Sequence, residues 1–209
     1  MARRNRVTPF GELIAAPERG ALMGNRGCLH DGQGRIVRFA DGRRWIVCLL
    51  SFKGRRREPM PPGRYTSLFF HDEATALAAG HRPCAECRRA DALAFRAAWA
   101  RATGEDPAIP LAELDRALHA ERYAGRGRMR RWRARPGDLP DGAMVDVGGA
   151  AHLVWRGGLR PWSPAGYGPP TADAPRGPVP VLTPPSTTGA IRAGYVPATS
   201  LGGGRTPEG

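Results

Sequence analysis

The chain has 209 residues with 32 lysines and arginines against 19 aspartates and glutamates, a formal charge of +13, and Lys53 is its one lysine. A hydrophobic share of 41% can supply a core, and 24% charged residues is ordinary, which argues against a disordered chain. No stretch reaches the ~18 consecutive apolar residues of a membrane-spanning helix, and the basic start Met1-Ala-Arg-Arg-Asn-Arg6 has no apolar segment behind it, so a soluble, unexported, cytoplasmic protein with no membrane partner is expected. Four cysteines in a reducing compartment point to metal ligands or buried thiols, not to a disulfide scaffold.

With 28 glycines and 21 prolines, short elements and many turns are expected. From Arg3 to Phe70, β-prone runs alternate with glycine: Glu12–Ala16, Ala21–Met23, Arg35–Phe39, Arg44–Phe52 and Tyr65–Phe70. They read as an antiparallel meander, with the nearly continuous apolar run Trp45–Phe52 as a central strand buried on both faces. The period then turns helical. Asp72 can cap a short helix over Glu73–Ala79, and Gly80 stands where a left-handed C-terminal cap belongs. Cys84-Ala-Glu-Cys87 follows Pro83 as a tight knuckle. Arg88–Thr103 reads as an amphipathic helix ended by Gly104, with Leu93, Ala94, Ala97 and Ala98 in its apolar stripe and Phe95 and Trp99 one turn apart. Pro110 opens another, with Leu111, Leu114 and Leu118 on one face.

Helical periodicity is lost over Arg122–Arg135, where seven arginines interleave with Tyr123 and Trp132, and a loop or open helix end is expected. Ala143–Val147, Ala151–Trp155 and Leu159–Trp162, joined by Gly148-Gly149 and Gly157-Gly158, give a small meander. A Pro/Gly-rich stretch, a short helix over Ser186–Ala193 and a glycine-rich tail complete the chain. The expected architecture is α+β: a domain over 1–135 with a β meander, a zinc knuckle and two to three helices, then a small β-rich part over 136–209.

A C-x-x-C before a helix presents two thiolates to one metal, whereas a thioredoxin-like redox pair needs a βαβ surround that is missing here. Zinc is therefore the expected cofactor, with Cys48, Cys84 and Cys87 as ligands and Cys28 as the fourth, rivalled by His30; His71 and His81 also lie near enough in sequence to substitute. Cys48 on an apolar strand reads equally well as an ordinary buried cysteine.

The segment Phe69–Arg89, which contains Ala79-Gly-His-Arg-Pro-Cys-Ala-Glu-Cys87, resembles the Ada-type metal-binding domain of bacterial alkylation-repair proteins over about a tenth of the chain. The resemblance implies a zinc-binding, DNA-binding domain in which Cys84 and Cys87 are ligands; in that family one zinc cysteine accepts a methyl group from a phosphotriester. The family's second pair, Cys-x-x-x-Cys, falls here on Lys53 and Arg57, so its methyl acceptor is missing from its place. The whole chain also resembles a bacterial family sharing the Ala-Gly-His-Arg-Pro-Cys core, a resemblance that brings no activity with it.

The arginines form two clusters. Arg43, Arg44, Lys53, Arg55, Arg56, Arg57, Arg82, Arg88 and Arg89 bracket the knuckle, while Arg128, Arg130 and Arg131 surround Trp132. Guanidinium groups pair bidentately with phosphate, and nearby rings can stack bases, so nucleic acid, DNA before RNA, is the expected partner. A solvated surface in an arginine-biased composition is the plainer reading. On the helix from Pro110, Asp115, His119 and Arg122 fall on one face opposite the leucines, a trio suited to phosphodiester hydrolysis; an exposed polar face is the alternative. The expected function is zinc-stabilised nucleic-acid binding. An enzyme using Asp115 and His119 or a zinc thiolate, and a metal-sensing or protein-interaction module, stand behind it.

Overall fold

The computed structural model describes residues 2–54, 60–61 and 63–204. Arg55, Arg56 and Arg57 lie outside the described residues.

The fold is mixed α+β. The first sheet takes β1 (Arg4–Val7), β2 (Leu13–Ala15), β3 (Leu22–Asn25), β4 (Ile46–Cys48), β5 (Leu68–Phe70) and β6 (Arg82–Pro83) in the order β2-β1-β5-β3-β4-β6. It is not the expected meander, because β1–β5 and β4–β6 pair in parallel. Nor is Trp45–Phe52 one long strand. Its ladder ends at Cys48, the amide of Leu49 turns to the sulfur of Cys87, and Leu50 is half exposed. Arg35–Phe39 likewise makes only the single bridge Ile36–His30.

Helix α1 (Glu73–Ala78) starts where Asp72 Oδ1 accepts the Thr75 amide at 2.9 Å, and all six of its residues are buried. Its alanines explain its position. Ala76 packs with Leu22, Val47 and Phe70 of the first sheet, while Ala74 and Ala78 pack with Met144 and Leu153 of the second, so small side chains let two sheets approach one helix. Gly80 (φ +81°) ends it, and a Cβ there would lie 2.6 Å from Cδ of Arg122. Glycine is needed for the turn and also for the close approach of that arginine.

Helices α2 (Arg89–Thr103) and α3 (Leu111–Arg122) begin and end as the sequence indicates, with Gly104 left-handed at the end of α2. The buried stripe of α2 differs. Ala92, Phe95, Ala98, Trp99 and Ala100 face inward, and Leu93 is 45% exposed, because turning the two large rings inward removes more apolar area from water. Phe95, Trp99, Leu114 and Leu118 form one core with Ile191 and Tyr195 at the end of the chain.

The arginine-rich stretch, expected to be open, is a hairpin of β7 (Tyr123–Gly125) and β8 (Arg128–Met129) followed by β9 (Trp132–Ala134). The second sheet adds β10 (Met144–Val147), β11 (Ala150–Trp155), β12 (Gly158–Ser163), β13 (Gly166–Tyr167) and β14 (Val179–Val181) in the antiparallel order β13-β12-β11-β10-β14-β9. It includes the expected glycine-turn meander and takes in Trp132, ahead of the boundary expected at 135. Helix α4 (Pro185–Arg192) then packs on α2 and α3. The two halves are also tied by acids of α1: Glu73 accepts from Tyr195 Oη and the Ala198 amide, and Asp72 accepts from Tyr167 Oη and the Ser200 amide.

Candidate functional site

Parallel pairing of β4 with β6 sets Ile46 beside Arg82 and Val47 beside Pro83, so the next step puts Cys48 beside Cys84, whose amide donates to Val47 O at 2.9 Å. The knuckle then folds back, with Arg88 N donating to Cys84 O at 3.0 Å. The sulfurs of Cys48, Cys84 and Cys87 lie within 4.8 Å of one another, a spacing that three ligands of one metal ion adopt. Cys48 and Cys84 are buried, Cys87 is half-buried, and Met23, Tyr65 and Phe69 pack around them. Hydrogen bonds from Cys48 and Cys87, then the amides of Cys87 and Glu86, hold the Cys84 thiol down to about 2. Donation to Cys84 and Cys87, with burial, pushes Cys48 up. Cys48 pulls Cys87 down, but its bond to Cys84 and burial prevail and raise it. Two thiols, Cys48 and Cys87, gathered around the Cys84 thiolate make a soft donor set for a metal ion.

Cys28 does not join them. In the β3–β4 ladder Met23 faces Cys48 and Asn25 faces Ile46, so β3 leads away from Cys48 before the chain bends at Gly27, and Cys28 is not among the clustered thiols. Its sulfur instead faces the carbonyl of His30 at 3.7 Å. His30 is engaged too, with Nδ1 2.6 Å from Thr66 Oγ1 and Nε2 3.3 Å from Pro61 O. His71 bonds Ser200 Oγ at 2.9 Å, and His81 is buried against Phe70 and Trp45. Among the described residues the ligand group is these three thiols.

The proposed trio on α3 is taken apart by packing. Asp115 is buried in a bidentate pair with Arg82, at 2.8 Å and 2.7 Å. Arg122 is buried beside it, donating to Gly80 O and Arg43 O and lying 4.3 Å over the Trp45 ring. Asp115 and Arg122 are therefore buried toward Arg82 and Trp45, while Leu114 and Leu118 of the same helix enter the core with Phe95, Trp99 and Ile191. His119 is left with ring contacts to Trp45 and Tyr123 and no carboxylate. Burial, then Arg122 and Arg43, hold it below its ordinary value. No acid–base pair results.

Several arginines expected on a binding surface are likewise spent inside. Arg82 is paired with Asp115, and Arg88 is buried between Glu73 at 2.9 Å and Asp91 at 2.8 Å. Arg131 donates to Phe10 O, and Trp132 is half-buried with its Nε1 donating to Thr183 O. Arg130 remains exposed, though its Nε holds Tyr123 O. Arg43, Arg44, Lys53, Arg89 and Arg128 are exposed.

The exposed arginines from distant stretches converge. Phe39 stacks on Tyr123, with ring centroids 5.6 Å apart and planes 3° apart, and Gly127 at the tip of the β7–β8 hairpin packs on Phe39. Arg122 ties the hairpin's root to Arg43 O. The loop carrying Arg38, Arg43 and Arg44 is thus joined to the hairpin carrying Arg126, Arg128 and Arg130. Next to it opens a groove of about 930 Å³ lined by Arg43, Arg44, Arg82, Arg116 and Cys84, with Asp41, Glu86 and Asp115 as its acids. One cysteine of the three-thiol cluster, Cys84, therefore lines the same groove as the arginines.

Sequence reasoning missed Arg116, which the spacing from Asp115 places on the outer side of α3, and Phe39, whose partner is 84 positions away. It also missed Arg26, fully buried with its guanidinium 3.9 Å over Phe39 and 5.1 Å over Trp45. Burial pulls Arg26 and Arg122 down to about 9. An arginine beside a tryptophan in space leaves no mark in the sequence order. No protein-family model, curated protein or solved structure matches the chain.

Proposed function

We propose that this is a zinc-stabilised, arginine-rich nucleic-acid-binding protein acting on DNA. The observation that carries this reading is the convergence of two arginine clusters across the Phe39–Tyr123 stack, beside a groove into which the metal cluster opens through Cys84. Zinc is favoured because it is a soft-tolerant, redox-inert ion that three thiolates suit. Cys48, Cys84 and Cys87 would hold it, and it would fix the knuckle from which the groove wall is built. The likeness of Phe69–Arg89 to the Ada-type domain supports the same pairing of zinc with DNA. The chain's own residues would act by binding: Arg43, Arg44 and Arg116 at the groove, and Arg126 and Arg128 on the hairpin, would take backbone phosphates through charge-assisted bonds.

The test is paired. Purified protein analysed for metal should carry one zinc per chain, and a metal-free, fully folded chain would remove the zinc centre. Binding to DNA, titrated between 50 and 200 mM salt, should weaken by at least about 10² if five or so phosphates are neutralised. Salt-insensitive binding, or none at low salt, would sink the nucleic-acid reading.

A further inference from the structure

We infer that the arginine face takes duplex DNA and grips it by the phosphate backbone, with no base stacked on the protein; this rests on the nucleic-acid reading above.

Proteins that favour single strands combine a cationic track with open aromatic rings, each stacked base contributing about 1–3 kcal/mol. The rings placed among these arginines are already used. Phe39 is stacked by Tyr123 and capped by the guanidinium of Arg26. Tyr123 is engaged as well, its hydroxyl accepting from the Gly127 amide at 3.2 Å and its ring lying against His119 and Trp45. Trp45 is 0% exposed, and Trp132, which the sequence offered as the platform, is docked in the second sheet by its bond to Thr183 O. The groove adds no ring, since no aromatic residue is among its described lining.

What remains available is charge on a preformed frame. Gly125, Arg126 and Gly127 all have positive φ (+84°, +50°, +73°), which makes the hairpin tip tight and projects Arg126 between two residues without side chains. The hairpin is fixed at its base by Arg130 N to Arg122 O at 2.8 Å and Arg130 Nε to Tyr123 O at 3.2 Å. Arg43, Arg44, Arg116, Arg126 and Arg128 are exposed, and none has an ion-pair partner among the described residues. Cations held on a rigid frame match a stiff lattice of phosphates. A duplex offers one charge per ~1.7 Å of axis, about twice the density of a single strand, and releases more counterions per contact. With no stacking to compensate, a flexible single strand is the poorer ligand. Among the described residues no helix or strand presents a row of side chains for reading base edges, so the grip is sequence-independent.

The experiment uses the full zinc-loaded chain and fluorescence anisotropy at 100 mM salt with a 20-bp duplex, a second duplex of unrelated sequence and (dT)20. We expect the two duplexes to agree within about twofold and (dT)20 to bind about tenfold or more weakly. R126A/R128A and R43A/R44A should each lower the log–log salt slope by about 2 and weaken both duplexes alike. Equal or tighter binding of (dT)20, or strong selection of one duplex, would overturn the inference while leaving nucleic-acid binding intact. A slope changed by only one of the two double variants would overturn the single face. Failure of all three probes to bind would overturn the nucleic-acid reading itself, and this inference with it.

Discussion

Arg82, Arg88, Arg26 and Arg122 on one side, and Arg43, Arg44, Arg126 and Arg128 on the other, are the same residue put to opposite uses. The first four are buried, two answered by carboxylates and two by backbone carbonyls and the Trp45 ring. The second four are exposed. Five donors in a planar fork let arginine satisfy carbonyls and stack on rings, which a lysine ammonium does less well. Further arginines follow the buried pattern at the surface: Arg101 clasps Ala193 O, Arg133 clasps Pro178 O and Arg192 clasps Asp138 O. Much of the +13 is therefore cement for a chain rich in turns, and only part of it is offered to a polyanion.

The contrast breaks most sharply at Asp115. Asp115→Ala leaves the Arg82 guanidinium buried without its carboxylate, and loss of one partner of a buried pair costs about 3–5 kcal/mol. Urea unfolding should show that loss, and a change below about 1 kcal/mol would mean that Arg82 finds water and is not part of the core. The knuckle comes next, since it sets the backbone from which Arg82 and Arg88 reach inward and Cys84 opens outward. If the thiol cluster holds the proposed zinc, Cys84→Ser should drop the metal content to near zero and, with the metal contributing about 3 kcal/mol, lower Tm by about 6–12 °C. A variant that keeps both its metal and its Tm removes Cys84 from the site.

How much of this was legible follows from where the determining contacts lie. The caps Asp72 and Gly104, the starts of α2 and α3, the glycine-turn meander and the α+β class are local, written within a few residues, and the structure bears them out. Cys84 and Cys87 are close because they are three apart; Cys48 joins only through the parallel β4–β6 pairing, which a reading as an antiparallel meander cannot supply. Cys28, expected as the fourth ligand with His30 as its rival, stays outside the cluster, because β3 runs away from Cys48 toward it. Asp115, His119 and Arg122 do share a helix face, as spacing requires, but spacing cannot tell whether that face meets water or a second layer. Here it meets Arg82 and Trp45. The domain halves are equally non-local, since Tyr167 and Tyr195 reach back to Asp72 and Glu73.

His81 sharpens the contrast from its buried side. Burial, reinforced by the Arg26 and Arg122 guanidinium groups facing it, holds its imidazole well below the ordinary value, so it is neutral in the fold. The unfolded chain takes up a proton near pH 6.5 while the folded one does not, so the unfolded state binds more protons and stability falls as pH drops below that point. The loss contributed by this group is about 1.4 kcal/mol by pH 5.5, one unit lower. His81→Leu should therefore lose less stability than the parent between pH 7.5 and 5.5, by about that amount in urea midpoints converted to free energy. Equal losses would mean that His81 is protonated within the fold.

The exposed side makes the smallest prediction and the most discriminating one. R43A/R44A and R126A/R128A each remove two charges with no ion-pair partner among the described residues, so each should change unfolding free energy by no more than about 0.5 kcal/mol per site. Removing like charges from a chain at +13 even favours the compact state slightly by relieving self-repulsion. Arg43 needs the closest control, because Arg122 donates to its backbone carbonyl, a contact that alanine preserves. If circular dichroism and urea midpoints stay put while the salt slope of DNA binding falls, the two populations of arginine are functionally distinct. If R43A/R44A unfolds the protein as Asp115→Ala does, the distinction between cement and contact surface fails at its outer edge, and the arginine content reads as structural throughout.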